Sequence, residues 1–129
     1  MAEEYILKNE TYQIMGACFF IYKEKGNGFV ESVYQDSLEI ELNYLGITFD
    51  AQRNYPLFHR GTRLNHSFTP DLLCYDQIIV ELKAVKSLAD EHRAQLINYL
   101  KVTGHQIGLL VNFGSFPKVE WERIILSQH

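Results

Sequence analysis

Apolar residues recur at helical spacing through the first third of the chain. Ile14, Ala17, Cys18 and Ile21 fall on one face of a segment from about Asn9 to Lys23, which predicts a first helix. Gly26, Asn27 and Gly28 break it. A second helix is predicted from about Phe29 to Leu45, with Tyr34, Leu38, Leu42 and Leu45 as its apolar stripe and Gly46 as its stop. The pattern then changes period. Ile47 to His59 and Leu64 to Tyr75 read as strands joined near Gly61, and Ile78 to Val85 as a third strand after a turn at Asp76 and Gln77. Asp90 to Thr103 returns to helical spacing and is closed by Gly104. Ile107 to Phe113 is almost wholly apolar, as a buried strand is; Gly114 to Pro117 is a loop, and Val119 to Leu126 reads as a final strand. Two helices, three strands, a helix and two strands predict an α/β fold around a central mixed sheet flanked by helices. The third helix is placed to be a crossover between parallel neighbours.

At 129 residues the chain is expected to form one domain, residues 1–129, long enough to bury a core without disulfides or structural metal. Cys18 and Cys74 lie in apolar surroundings with no metal-type spacing, and read as reduced core residues. The acidic start, Met1 to Glu4, is unlike a secretory signal, and the run Ile14 to Tyr22 is too short to cross a bilayer. A soluble cytoplasmic protein without a membrane partner is the expectation. A net charge of -4 carries no global signature of nucleic-acid binding. The charge is uneven, however. Residues 26 to 52 contain no Lys or Arg, whereas residues 53 to 101 hold seven basic and five acidic side chains. From charge alone this is ordinary surface mixing.

Candidate chemistry sits in the middle of the chain. Asp71 follows Thr69 and Pro70, and Glu81 and Lys83 interrupt an otherwise apolar strand. Charge at such positions is costly unless it is paired or bound to a metal. Glu81 and Lys83 share a face with Ile79, because side chains alternate along a strand. A plain two-residue hairpin would set Asp71 opposite Leu82, on the wrong face. A three-residue connection, Asp76 to Ile78, or a bulge of the same effect, sets it opposite Lys83 and beside Glu81, and this is the expected arrangement. Two carboxylates meeting there suit a hard divalent cation, Mg²⁺ or Mn²⁺. An ion pair between Lys83 and either carboxylate accounts for the spacing equally well. Glu31 stands three residues before Tyr34 on the second helix's stripe. It either joins the site or, with Gly28 as N-cap, bonds back to the cap from position N3. On the third helix His92, Gln95 and Tyr99 share a face, as boundary residues or, for Gln95, as a contact to water or phosphate. Nothing resembles a Ser/His/Asp arrangement, a phosphate-cradling glycine loop or a dinucleotide fingerprint.

The stretch Gly28, Phe29, Val30, Glu31, Ser32, Val33, Tyr34 resembles the signature of the GxxExxY proteins, a family of small bacterial proteins. The likeness continues through Ile79 to Ala84, Ala94 to Leu100, Gly108 to Gly114 and the strand of Trp121, about residues 10 to 126 in all. That family is grouped with the PD-(D/E)XK nuclease superfamily. The resemblance implies a restriction-endonuclease-like core, a central mixed β-sheet flanked by helices in the order α-α-β-β-β-α-β-β. It implies metal-dependent hydrolysis of phosphodiester bonds in nucleic acid, with DNA the expected substrate. By motif, Asp71 corresponds to the PD element, and Glu81 with Lys83 to the (D/E)XK element. Asp71 and Glu81, assisted by Glu31, would hold Mg²⁺ or Mn²⁺, while Lys83 positions the attacking water and Gln95 orients it. Tyr99, Arg93 and Lys86 are the expected substrate contacts, and a homodimer would enlarge the grip on a duplex. The fold is also used without catalysis, so a non-catalytic module that binds nucleic acid or protein is the alternative.

Overall fold

Helix α1 (Lys8–Lys25) buries Ile14, Ala17, Cys18 and Ile21, the face its spacing predicts. The computed structural model that shows this describes residues 5–127. Gly26 ends the helix with φ 70, and its N–H closes on the Tyr22 carbonyl at 2.8 Å. A side chain is strained in that left-handed region, so glycine belongs there. Helix α2 (Glu31–Tyr44) buries Tyr34, Leu38 and Leu42 at intervals of one turn, while Leu45 lies beyond the helix and is exposed. Its N-cap is Val30, which offers no side-chain acceptor. Gly28 is therefore not the cap, and Glu31 stands at the first helical position rather than at N3.

Each of the first two predicted strands divides in two. Ile47 to His59 becomes β1 (Phe49–Ala51) and β2 (Tyr55–His59), because Gln52 takes φ 66, which no continuous strand accommodates. Leu64 to Tyr75 becomes β3 (Thr62–Phe68) and β4 (Leu72–Cys74), with Pro70, which has no N–H for a ladder, between them. There follow β5 (Ile78–Lys83), α3 (Asp90–Thr103), β6 (Ile107–Asn112) and β7 (Glu120–Ile125). Five strands form one mixed sheet in the order β1-β4-β5-β6-β7. Only β5 and β6 are parallel, and α3 connects them as the crossover. Strands β2 and β3 pair with each other in a separate two-stranded sheet.

The main sheet is apolar on both faces, and the faces are unequal. Leu72, Cys74, Ile78, Val80, Leu82, Leu109 and Val111 point into the larger core under α1 and α2. Leu73, Ile79 and Leu110 meet Leu88, Leu96 and Leu100 in a smaller core under α3. Helix α3 lies so close to β6 that a Cβ on Gly108 would come within 2.8 Å of the Leu96 side chain. Cys18 and Cys74 are both buried and unbridged. Among the described residues, no helix is long and apolar enough to cross a membrane.

Candidate active site

Everything at the site follows from one register. Pairing of Leu72 with Val80, Leu73 with Ile79 and Cys74 with Ile78 places Asp71, one step earlier, across from Glu81. The chain turns through Tyr75 and Asp76, both with left-handed φ, and the Gln77 N–H closes on the Cys74 carbonyl at 3.0 Å. Pairing resumes only at Ile78, so Gln77 is an extra residue on that side. This is a two-residue turn plus a bulge rather than a connection through Ile78, and Asp71 faces Glu81 instead of Lys83. Its side consequence is the expected one, because Asp71, Glu81 and Lys83 share the α3 face of the sheet.

Asp71 is fixed from two directions. Its Oδ2 accepts the Leu82 N–H at 2.7 Å, and its main-chain carbonyl accepts a hydrogen bond from Gln35 Nε2 of α2 at 3.1 Å. Glu81 is 5% exposed, and its Oε1 is buried with no hydrogen-bond partner. Burial first, and then the hydrogen bond and negative charge of Asp71, push its carboxyl up to about 9, against Lys83, which pulls it down. Burial and the neighbouring Asp71 thus favour the protonated form of Glu81. The Lys83 ammonium donates to Gln95 Oε1 of α3 at 3.3 Å. Among the described residues it forms no direct ion pair with Asp71 or Glu81. The simple sheet ion pair is thus not the arrangement adopted.

Glu31 heads α2 one turn before Gln35, the residue that grips Asp71. Burial and the charge of Asp71 raise its carboxyl, while Lys83 and His92 lower it, so it belongs to the same electrostatic group. It does not close a cage, however. Among the described residues, no three His, Cys, Asp or Glu side chains come together as a metal-holding group. His92 is engaged elsewhere, its Nδ1 accepting the Ala89 N–H at 3.0 Å and capping α3. Burial and then the charges of Glu81 and Asp71 raise the Tyr99 phenol. Its ring stacks on Phe68 at 4.3 Å.

The two basic residues expected to meet substrate, Arg93 and Lys86, have different surroundings. Arg93 is bound to Glu122 of β7 at 2.6 Å and to Asp90 at 2.9 Å, which ties α3 to the sheet two strands away from β5. Lys86 is exposed in the connection after β5.

Three residues support the site from behind. Asn112 is fully buried at the end of β6. Its Oδ1 accepts the N–H groups of Val85 at 2.9 Å and Gly114 at 3.0 Å, and its Nδ2 donates to the Val85 carbonyl at 2.9 Å and Glu120 Oε1 at 3.2 Å. It clamps the segment that follows Lys83. A lone amide closing an apolar run was the signal. Gly114 allows this approach, because a Cβ there would lie 2.3 Å from the Val85 carbonyl oxygen. Tyr34 stacks on Phe113 at 4.5 Å, donates its hydroxyl to the Gly26 carbonyl and accepts the Phe29 N–H at 3.2 Å. It thereby holds shut the loop that leads to Glu31.

Two carboxyl groups, one carrying a buried unpartnered oxygen, fit a hard divalent cation. Such ions commonly take one or two protein carboxylates and complete their shells with water and phosphate oxygens. A family model described as the PD-(D/E)XK nuclease superfamily matches residues 8–124, and the chain belongs to that superfamily. The crystal structure of SSO0001 is similar over 76% of this chain, with a TM-score of 0.61 and 17% identity. That likeness shows the fold, and the match covers 50% of the length of SSO0001. No curated protein matches the sequence.

Proposed function

We propose that the protein is a metal-dependent nuclease that hydrolyses phosphodiester bonds in nucleic acid, DNA first. The observation that carries this reading is Glu81, buried beside Asp71 with one carboxyl oxygen unpartnered and its carboxyl pushed up to about 9. Perturbed acids of this kind cluster at functional sites. Asp71 and Glu81 hold Mg²⁺ or Mn²⁺, and Glu31 assists through water. When bound, such a cation lowers the pKa of water and stabilises charge developing on phosphate. Lys83 holds the attacking water or a phosphate oxygen, Gln95 fixes the lysine, and Tyr99 walls the site. In this reading the chain is one of the GxxExxY proteins, which its Gly28, Glu31 and Tyr34 support.

The test is cleavage of DNA and RNA in Mg²⁺ or Mn²⁺, with Glu81→Ala as control. Cleavage that survives the substitution, or none by the unaltered protein, would sink the proposal. The second reading is a non-catalytic binding module, favoured by the lack of a three-carboxylate group among the described residues. Metal titration separates the two, because a nuclease binds Mn²⁺ at one site that Asp71→Ala removes.

A further inference from the structure

The β2–β3 hairpin is an odd element for so small a protein. It contributes no strand to the main sheet, and Thr62 to Ser67 are all exposed. Two-stranded sheets are at best marginal on their own. This one is held at its base. Tyr55 stacks on Phe68 at 5.2 Å, and Phe68 stacks on Tyr99 of α3 at 4.3 Å. Asn54 Nδ2 donates to Ser67 Oγ at 2.9 Å and Thr69 Oγ1 at 3.0 Å. Only Thr69 and Pro70 then separate Phe68 from Asp71.

Its charge is as distinctive as its position. From Ala51 to Pro70 the chain carries Arg53, Arg60 and Arg63, with His59 and His66, and no Asp or Glu, in a protein of net charge -4. Arg53 is engaged at the base, reaching Asp50 at 3.6 Å and Asp76 at 3.7 Å. Arg60 sits in the turn and Arg63 pairs across from Phe58 near the tip. Among the described residues neither meets a carboxylate. Seven residues of extended strand carry this charge about 20 Å out from the base, a length that spans several phosphates of a duplex.

We propose that the β2–β3 hairpin is a basic arm that grips the phosphodiester backbone of nucleic acid through Arg60 and Arg63 and leads it past Asp71 and Glu81. The proposal rests on the nuclease reading for the direction in which the strand is led. It also reassigns substrate contact from Arg93, which is bound to Glu122, to the arm. Phosphate contacts of this kind position a duplex without reading its sequence.

The experiment measures fluorescence anisotropy of labelled DNA and RNA duplexes of about 20 base pairs, in chelator and over a range of salt. The expected result is that Arg60→Gln/Arg63→Gln binds about tenfold or more weakly, with a salt slope shallower by about 2. The control Lys101→Gln/Lys118→Gln, which removes the same charge elsewhere, should bind like the unaltered protein. Unchanged binding by the arm variant overturns the proposal, and so does absence of binding by the unaltered protein. Cleavage kinetics in Mn²⁺ separate this from the nuclease reading. An arm variant that cuts with unchanged KM overturns the arm and leaves the nuclease standing. Binding that depends on the arm, with no cleavage by any form, does the reverse.

Discussion

Asp71 Oδ2 receives the main-chain N–H of Leu82 at 2.7 Å, so the first carboxylate of the motif is fastened to the strand that carries the second. The bond runs between Glu81 and Lys83 in sequence. It sets the spacing of the cluster more directly than the strand ladder, which ends at Leu72.

Asp71→Ala leaves the Leu82 N–H without its partner and should cost about 1–3 kcal/mol in stability. Asp71→Asn keeps an acceptor oxygen and should cost less, while still abolishing tight Mn²⁺ binding. Urea unfolding and calorimetric titration of both variants check this. Equal stability losses would mean that the bond contributes nothing.

Glu81 should make the metal-free protein sensitive to base. Its carboxyl has an ordinary value of 4.5 and is raised to about 9 in the fold. The folded state therefore binds more protons than the unfolded one, and this contribution to stability falls as pH rises from about 4.5 to about 9. In chelator, Glu81→Gln should flatten that slope and gain about 2 kcal/mol at pH 8. Thermal unfolding across pH measures it, and a loss of stability in the variant at pH 8 would contradict the assignment.

Metal and proton should compete for the same pair. Binding of Mn²⁺ near pH 7 should release about one proton, and affinity should rise with pH. Calorimetry in buffers of different ionisation enthalpy counts the protons. Release that persists in Glu81→Gln would place the proton elsewhere.

Lys83 contacts Gln95 and, among the described residues, no carboxylate directly, so its removal should be felt in rate more than in fold. Lys83→Met should lower kcat by about 10²–10⁴-fold while leaving Mn²⁺ affinity similar or higher. Gln95→Ala should reproduce a smaller part of the loss. A Lys83 variant that loses metal binding together with rate would make the lysine a structural residue.

Asn112→Ala should cost about 1–3 kcal/mol, because it leaves the half-buried N–H and carbonyl of Val85 without their partner. The segment after Lys83 should loosen with it, seen as faster hydrogen exchange at Ala84 and Val85.

The helices and the buried strand were legible because their apolar periods are long and their glycine stops are clear. Asp71, Glu81 and Lys83 were legible as charge where charge is costly, and alternation correctly set the last two on one face. The division of residues 47 to 59 was hidden, since nothing in Gln52 announces φ 66. The separate hairpin was hidden for another reason. It is held by a stack that joins Tyr55, Phe68 and Tyr99, residues far apart in the chain. The pairing of Arg93 was hidden because its partner, Glu122, lies 29 positions away on another element.

The unequal faces of the sheet divide the molecule into two zones of tolerance. Substitutions that fill or stiffen the broad core beneath α1 and α2, away from Tyr34 and the first turn of α2, can be pursued for hardiness with little risk to Asp71 and Glu81, which project from the other side. The thin layer of Leu73, Ile79, Leu96, Leu100 and Leu110 allows no such freedom. It is the foundation of the reactive face, and drift in Leu96 or Gly108 should dull the protein's chemistry before it threatens its survival.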